Sequence, residues 1–486
     1  MLYAPFAPQG ADPWIWDFAL QGTNGPFAFD LPGPSPGSGL VPLRIGLIGA
    51  TEHLHTVRAE INGASVGEVV FRGKAMAVLE GGIPGDSLLA TGNALRLTYE
   101  AEGGTPEDPG LVFLDVIDLV APEREGEAEV LAVEAYDPSL PELGGVDYLV
   151  VTHRDFLDAA ERLRVLKEGE GRRVAVVDVE RAYDRYSAGV FEASALRELV
   201  REAASRKRLA YVALVGDDTF DPRDFLGLGN ASYVPSLYGW DGVFGRVPSE
   251  TLFADVDDDG RPDVAIGRLP VRTLEEAHAV VDKIARQGRR RRGHLIAVDE
   301  KGQSDISFRG EGEALALRLP EGSVSMADVG QQGVAAARTT LLEGLKDGPQ
   351  TASYFGHGGE DVWSDQALLR NADVASLEGS GGETVLFSWT CETQWFVSEG
   401  RTISEELLLV PNGGTVASVG PVGISDPVLQ VNLARRVYDY FLAGAALGEA
   451  VMRAKADALR EDPGLAPVVH GFGLIGDPAL TLPRAR

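Results

Sequence analysis

The chain has 486 residues, with 44 basic and 73 acidic side chains and a formal net charge of −29. That length exceeds what one hydrophobic core usually holds, so two or three domains are expected, and the charge argues against nucleic acid or an anionic lipid surface as partner. No stretch approaches the length of a membrane-spanning helix, the N-terminal MLYAPFAPQGADPW has neither the basic start nor the apolar run of a signal peptide, and a lone cysteine, Cys391, excludes intrachain disulfides and multi-thiolate zinc sites.

Residues 1–123 read as an all-β domain, in which short alternating runs (LVPLRIGLIGA, TVRAEING, ALRLTYEA, LVFLDVIDLVA) are separated by Gly, Pro and Asn turns. A sandwich or jelly-roll is the packing such strands favour. His53 and His55 fall here without carboxylate or thiol company, which predicts a surface role. Gly33-Pro-Ser35-Pro-Gly37 matches the serine-hydrolase elbow only formally, because prolines in a loop supply neither the strand before it nor the helix after it. Residues 124–145 are acidic and proline-bearing and read as a linker.

From residue 146 the pattern becomes α/β. The runs DYLVVT, RVAVVDV, YVALVG, DVAIG, HLIAVDE, TASYFG, TVLFSWT and GTVASVG are mostly continuously apolar, and helical segments such as RDFLDAAERLRVLKE and LEEAHAVVDKIARQ lie between them. That alternation predicts a largely parallel sheet flanked by helices, in two halves, 146–290 and 291–486. Gly216-Asp217-Asp218 follows one strand and either lines the sheet edge or makes a cap or turn. In Asp255-Val-Asp257-Asp-Asp259-Gly260-Arg-Pro-Asp263, carboxylates alternate before a turn glycine and another carboxylate follows, a hard-oxygen pattern suited to structural Ca2+. The EF-hand's closing Glu is missing, since Ile266 stands there, so a shorter calcium loop is expected in the first half, the other reading being a solvated acidic turn. Between the halves, Arg289-Arg290-Arg291-Arg292 reads as a solvated basic cluster that ends a helix.

Two strands of the second half end in reactive residues: TASYFG runs into His357-Gly358-Gly359, and TVLFSWT runs into Cys391-Glu392. Parallel sheets present catalytic groups beyond the carboxyl ends of their strands, so thiol and imidazole are expected at one edge. In a thiol acyl transferase the thiolate attacks while the imidazole first takes and later returns a proton. The backbone N–H groups of Gly358 and Cys391 would then serve as the oxyanion hole. The plainer reading is an ordinary buried cysteine and a loop histidine.

These residues resemble those of the gingipain family of cysteine peptidases, in the caspase-like clan, where a strand ending in Gly-His-Gly carries the base and a later strand ends in the nucleophile. The resemblance also takes in DYLVVTHRDF (147–156), YVALVGDDTFDPR (211–223), PDVAIGRLPVRT (262–273) and GLIGDPALTL (473–482), in that order. It implies a caspase-like fold, a cysteine endopeptidase acting on proteins and peptides through Cys391 and His357, and a secreted or cell-surface location. It also implies a carboxylate behind the histidine, with Glu300 the first choice and Asp299 the second, unless either acid only caps the next helix. In Arg-specific members an acid shortly beyond that carboxylate lines the primary pocket; Asp305 stands there, which implies cleavage after Arg or Lys and makes Arg289–Arg292 a self-cleavage site. The alternative is a catalytically silent calcium-binding adhesion or scaffold protein of the same fold.

Overall fold

In the N-terminal unit, apolar side chains alternate along strands such as Leu54–Ile61 and Asn93–Glu102, so each of these buries one face. The computed structural model describes residues 2–3, 14–31, 37–105, 108–119, 137–206, 208–243, 245–286, 293–300, 306–381 and 383–482. The chain divides into two units, Met1–Val133 and Glu134–Arg486. In the first, two four-stranded antiparallel sheets share one core that includes Ile45, Leu47, Val57, Leu97 and Tyr99. Their strand orders are Asp17–Leu20, Leu111–Leu119, Leu40–Gly49, Met76–Pro84 and Gly22–Phe29, Asn93–Glu102, Leu54–Ile61, Ala64–Arg72.

The histidine pair is not a surface feature. His55 is fully buried, its Nδ1 is 2.8 Å from Tyr99 Oη and its Nε2 is 3.0 Å from the Thr51 carbonyl, while His53 lies 3.1 Å from the Asp108 carboxylate. Burial holds the His55 imidazole below its ordinary pKa, which marks it as a neutral core group. The Ser35 segment and most of the 124–145 linker lie outside the described residues.

The second unit is built on one ten-stranded sheet. In chain order its strands are β1 (Tyr148–Thr152), β2 (Val174–Asp178), β3 (Tyr211–Val215), β4 (Ala265–Leu269), β5 (His294–Val298), β6 (Val324–Asp328), β7 (Thr351–Phe355), β8 (Thr384–Trp389), β9 (Thr415–Pro421) and β10 (Phe472–Gly476). Their spatial order is β2-β1-β3-β4-β10-β9-β8-β7-β5-β6. The two expected halves are therefore parts of a single sheet, because the C-terminal strand β10 inserts between them, antiparallel to β9 and joined to β4 through Arg268 and Ile475. Both faces are covered: Val385, Phe387 and Trp389 of β8 enter one core and Leu386 another, which is why these strands are apolar throughout.

Candidate active site

Strands β7 and β8 are parallel neighbours with Phe355 paired to Trp389. His357 and Cys391 each follow the paired residue by two positions, so the register sets both at one sheet edge, on adjacent loops. The loops touch: a methyl group on Gly358 would lie 2.6 Å from Thr390 Oγ1 and 3.4 Å from the Cys391 carbonyl oxygen. Phe308 packs edge-on against the His357 imidazole, the rings at 87° with centroids 5.2 Å apart.

The histidine loop is held from below. Tyr354 Oη donates to the His357 carbonyl at 2.7 Å, and the Tyr354 ring stacks on Trp363 with centroids 4.3 Å apart. Residues 357–359 and 362–364 form a short antiparallel bridge, through Gly359 N–H to Val362 O and Ser364 N–H to His357 O. In that bridge Gly358 is the residue whose own N–H points away. Neither the Gly358 nor the Cys391 N–H has an acceptor among the described hydrogen bonds.

Of the two carboxylates after β5, Asp299 is the one at the histidine loop. It is buried, accepts from His357 N–H at 3.3 Å and from Ser364 Oγ at 2.7 Å, whereas Glu300 is exposed and accepts from Gln366 Nε2 at 2.9 Å. Successive residues of extended chain point to opposite sides, and Asp299, the second choice, takes the inward one while Glu300, the first, faces out. Neither carboxylate bonds to the imidazole ring among the described hydrogen bonds.

The Cys391 thiol rests 3.9 Å from the Ser425 carbonyl oxygen, and no described hydrogen bond joins it to His357. Burial pushes the thiol above its ordinary pKa, and the Glu392 and Asp241 charges push it further, against the lowering effect of the Ser425 contact. Glu392 holds a left-handed backbone (φ 56°), with its N–H on the Gly423 carbonyl at 3.0 Å. Burial raises its pKa, and so do the neighbouring Glu360 and Asp241.

Residues 142–483 match the family model of peptidase family C25. The chain belongs to that family. It is a cysteine-type peptidase, and its substrates are proteins or peptides. Among solved structures it is similar to the Arg-specific cysteine proteinase gingipain R, with TM-score 0.57 and 17% identity over 70% of this chain and 79% of that one. The complex of Porphyromonas gingivalis RgpB pro- and mature domains gives TM-score 0.57 and 17% identity over 69% and 79%. At such identity the likeness is one of fold, gingipain- and caspase-like. No curated protein sequence matches the chain.

Away from the thiol, the structure of this C25 peptidase gathers Asp255, Asp257 and Asp263, whose nearest ligand oxygens all lie within 4.8 Å of one another. Asp259 is not among them: it turns back to accept from Arg261 N–H at 2.9 Å and pairs with the Arg261 guanidinium, a correction to the four-ligand reading. Gly216-Asp217-Asp218 is structural. Asp217 is buried between Arg272 and Arg401, and Asp218 accepts from Ser236 N–H at 2.8 Å and from Ser232 Oγ. Asp305 and Arg289–Arg292 lie outside the described residues. Sequence reasoning missed Ser425, Gln430 and Asp241, which act on the Cys391 thiol; the available signal was a polar Gln430 on the apolar stripe of Val431, Leu433, Ala434 and Val437.

Proposed function

We propose that this peptidase cleaves peptide bonds after Arg or Lys, with Cys391 as nucleophile, His357 as general base and Asp299 steadying the histidine loop. The observation that supports the reading is the register of β7 and β8, which brings His357 and Cys391 to one sheet edge on adjacent loops, where the Gly358 and Cys391 N–H groups have no acceptor among the described hydrogen bonds. His357 takes the Sγ proton as sulfur bonds to the scissile carbonyl carbon, and the resulting oxyanion accepts from Gly358 and Cys391 N–H. The imidazolium returns that proton to the leaving amine as the C–N bond breaks. Water, deprotonated by the imidazole, then hydrolyses the thioester, releasing the carboxylic acid and the thiol.

The cationic preference rests on Asp305 from the family resemblance and on the acidic surroundings of the thiol. Glu392 has no cationic partner among the described contacts, and Glu360 and Asp241 add like charge beside it. A guanidinium bound there regains by pairing what it loses in leaving water. A P1 peptide library should therefore give Arg first and Lys second, and the four-arginine run at 289–292 should be cut in wild-type protein and remain intact once iodoacetamide has blocked the thiol. A profile led by acidic or large apolar P1 residues would overturn the specificity.

Calcium is the second part of this reading. Asp255 Oδ1 is buried without a hydrogen-bond donor, and Asp263 has its carboxyl pushed up by burial and then by the charges of Asp257, Asp259 and Asp255. A divalent cation relieves both, and three hard oxygens suit Ca2+. Since a ligand bound only by the folded state adds RT ln(1 + [L]/Kd), calcium at a hundredfold its Kd should add about 2.7 kcal/mol and raise Tm by a few degrees. The gain should vanish in Asp257→Asn/Asp263→Asn. A Tm identical in EDTA and in millimolar calcium would remove the site.

A further inference from the structure

Helix Pro427–Leu442 begins beside the nucleophile, its first turn capped by the Asp426 side chain, which accepts from Val428 and Leu429 N–H. One turn in, Gln430 sits among apolar residues and is 3% exposed. Burying a primary amide there is costly unless its donors are used, and they are. Nε2 lies 2.7 Å from the Thr390 carbonyl oxygen, 3.0 Å from the Ser425 carbonyl oxygen and 2.7 Å from Ser425 Oγ.

Two of those acceptors define the nucleophile. The Ser425 carbonyl is the group on which the Cys391 thiol rests. The Thr390 carbonyl belongs to the same peptide unit as the Cys391 N–H, and a trans peptide sets its C=O and N–H on opposite sides of one plane. Anchoring the Thr390 oxygen to Gln430 thus fixes the direction of the Cys391 N–H, away from the helix, and polarises it. That N–H has no acceptor of its own among the described bonds.

We propose that Gln430 is a positioning residue for the hydrolysis: its side-chain amide aims the Cys391 N–H at the developing oxyanion and holds the carbonyl that seats the resting thiol. The inference rests on Cys391 being the nucleophile and its N–H an oxyanion donor. A misaimed donor weakens acyl transfer, where negative charge builds on oxygen, but not alkylation by iodoacetamide, where sulfur displaces iodide at a saturated carbon and no oxyanion forms.

The test uses the full-length chain with Gln430→Met, which keeps the volume and removes the donors. We expect kcat to fall about 10- to 100-fold with KM within about twofold, part of the 10²–10³ that removing an oxyanion donor outright costs. The iodoacetamide rate, measured at a pH where the thiol is fully ionised, should change less than about threefold. Should Gln430→Met not fold, Gln430→Leu, which likewise carries no donor, is read by the same criteria. An unchanged kcat in either folded variant, or cleavage and alkylation falling in equal proportion, would overturn the proposal, as would failure of both variants to fold. Failure of the underlying reading looks different: Cys391→Ala would then cleave as well as wild type.

Discussion

Cys391→Ala is expected to lower peptide cleavage by about 10⁵- to 10⁶-fold, and His357→Ala by a similar factor, with the double variant no worse than either. Non-additivity follows from the chemistry, since a base with no thiol to deprotonate and a thiol with no base fail at the same step. Neither substitution should unfold the protein, because both side chains sit on loops beyond strand ends, where the Cys391 thiol rests 3.9 Å from the Ser425 carbonyl oxygen and the His357 ring meets the Phe308 ring edge-on. The same geometry sets the pH dependence of the resting enzyme. Burial and the Glu392 and Asp241 charges both disfavour the thiolate, so alkylation by iodoacetamide should rise on the alkaline side of an ordinary thiol. Wild-type turnover by purified Cys391→Ala would sink the mechanism.

How much of this was legible in the sequence follows from what each strand buries. The strands β1, β3, β5, β7 and β8 are buried along their whole length, and such positions read directly as apolar runs. Strand β6 was not read, because it lies at the sheet edge, where Val324 and Met326 are only partly buried and Ser325 is exposed. Strand β10 was hidden by glycines at both ends, and with it the antiparallel insertion that joins the two expected halves of the sheet. The reactive pair was visible because His357 and Cys391 follow such runs immediately. That β7 and β8 are neighbours is a tertiary fact that no local pattern encodes, and the family resemblance supplied it. Choices between adjacent acids were beyond the sequence for a different reason. Asp299 against Glu300 depends on which side of the backbone each carboxylate leaves, and one residue of phase reverses the answer.

Gly358→Ala tests the loop between base and nucleophile, and it is expected to lower kcat by about 10²- to 10³-fold. The added methyl would stand 2.6 Å from Thr390 Oγ1 and 3.3 Å from the Val362 carbonyl oxygen. Neither neighbour yields cheaply. Thr390 is fully buried beside the nucleophile, and Val362 belongs to the bridge anchored by Trp363 on Tyr354. The histidine loop must move instead, carrying the Gly358 N–H out of line, and loss of one such donor costs about 2.7–4 kcal/mol of transition-state stabilisation. Gly359→Ala is the control, since its methyl meets only Val362 Cγ1 at 3.9 Å, an ordinary contact, and activity should stay within about twofold of wild type. Thr390→Ala added to Gly358→Ala should restore part of the loss: it removes the closest obstacle, and the Thr390 hydroxyl is buried without a hydrogen-bond partner, so its deletion breaks no bond. Measured kcat values for the three variants decide the matter. Gly358→Ala within threefold of wild type, or Gly359→Ala equally damaged, would show that the space between these loops is not where the oxyanion is held.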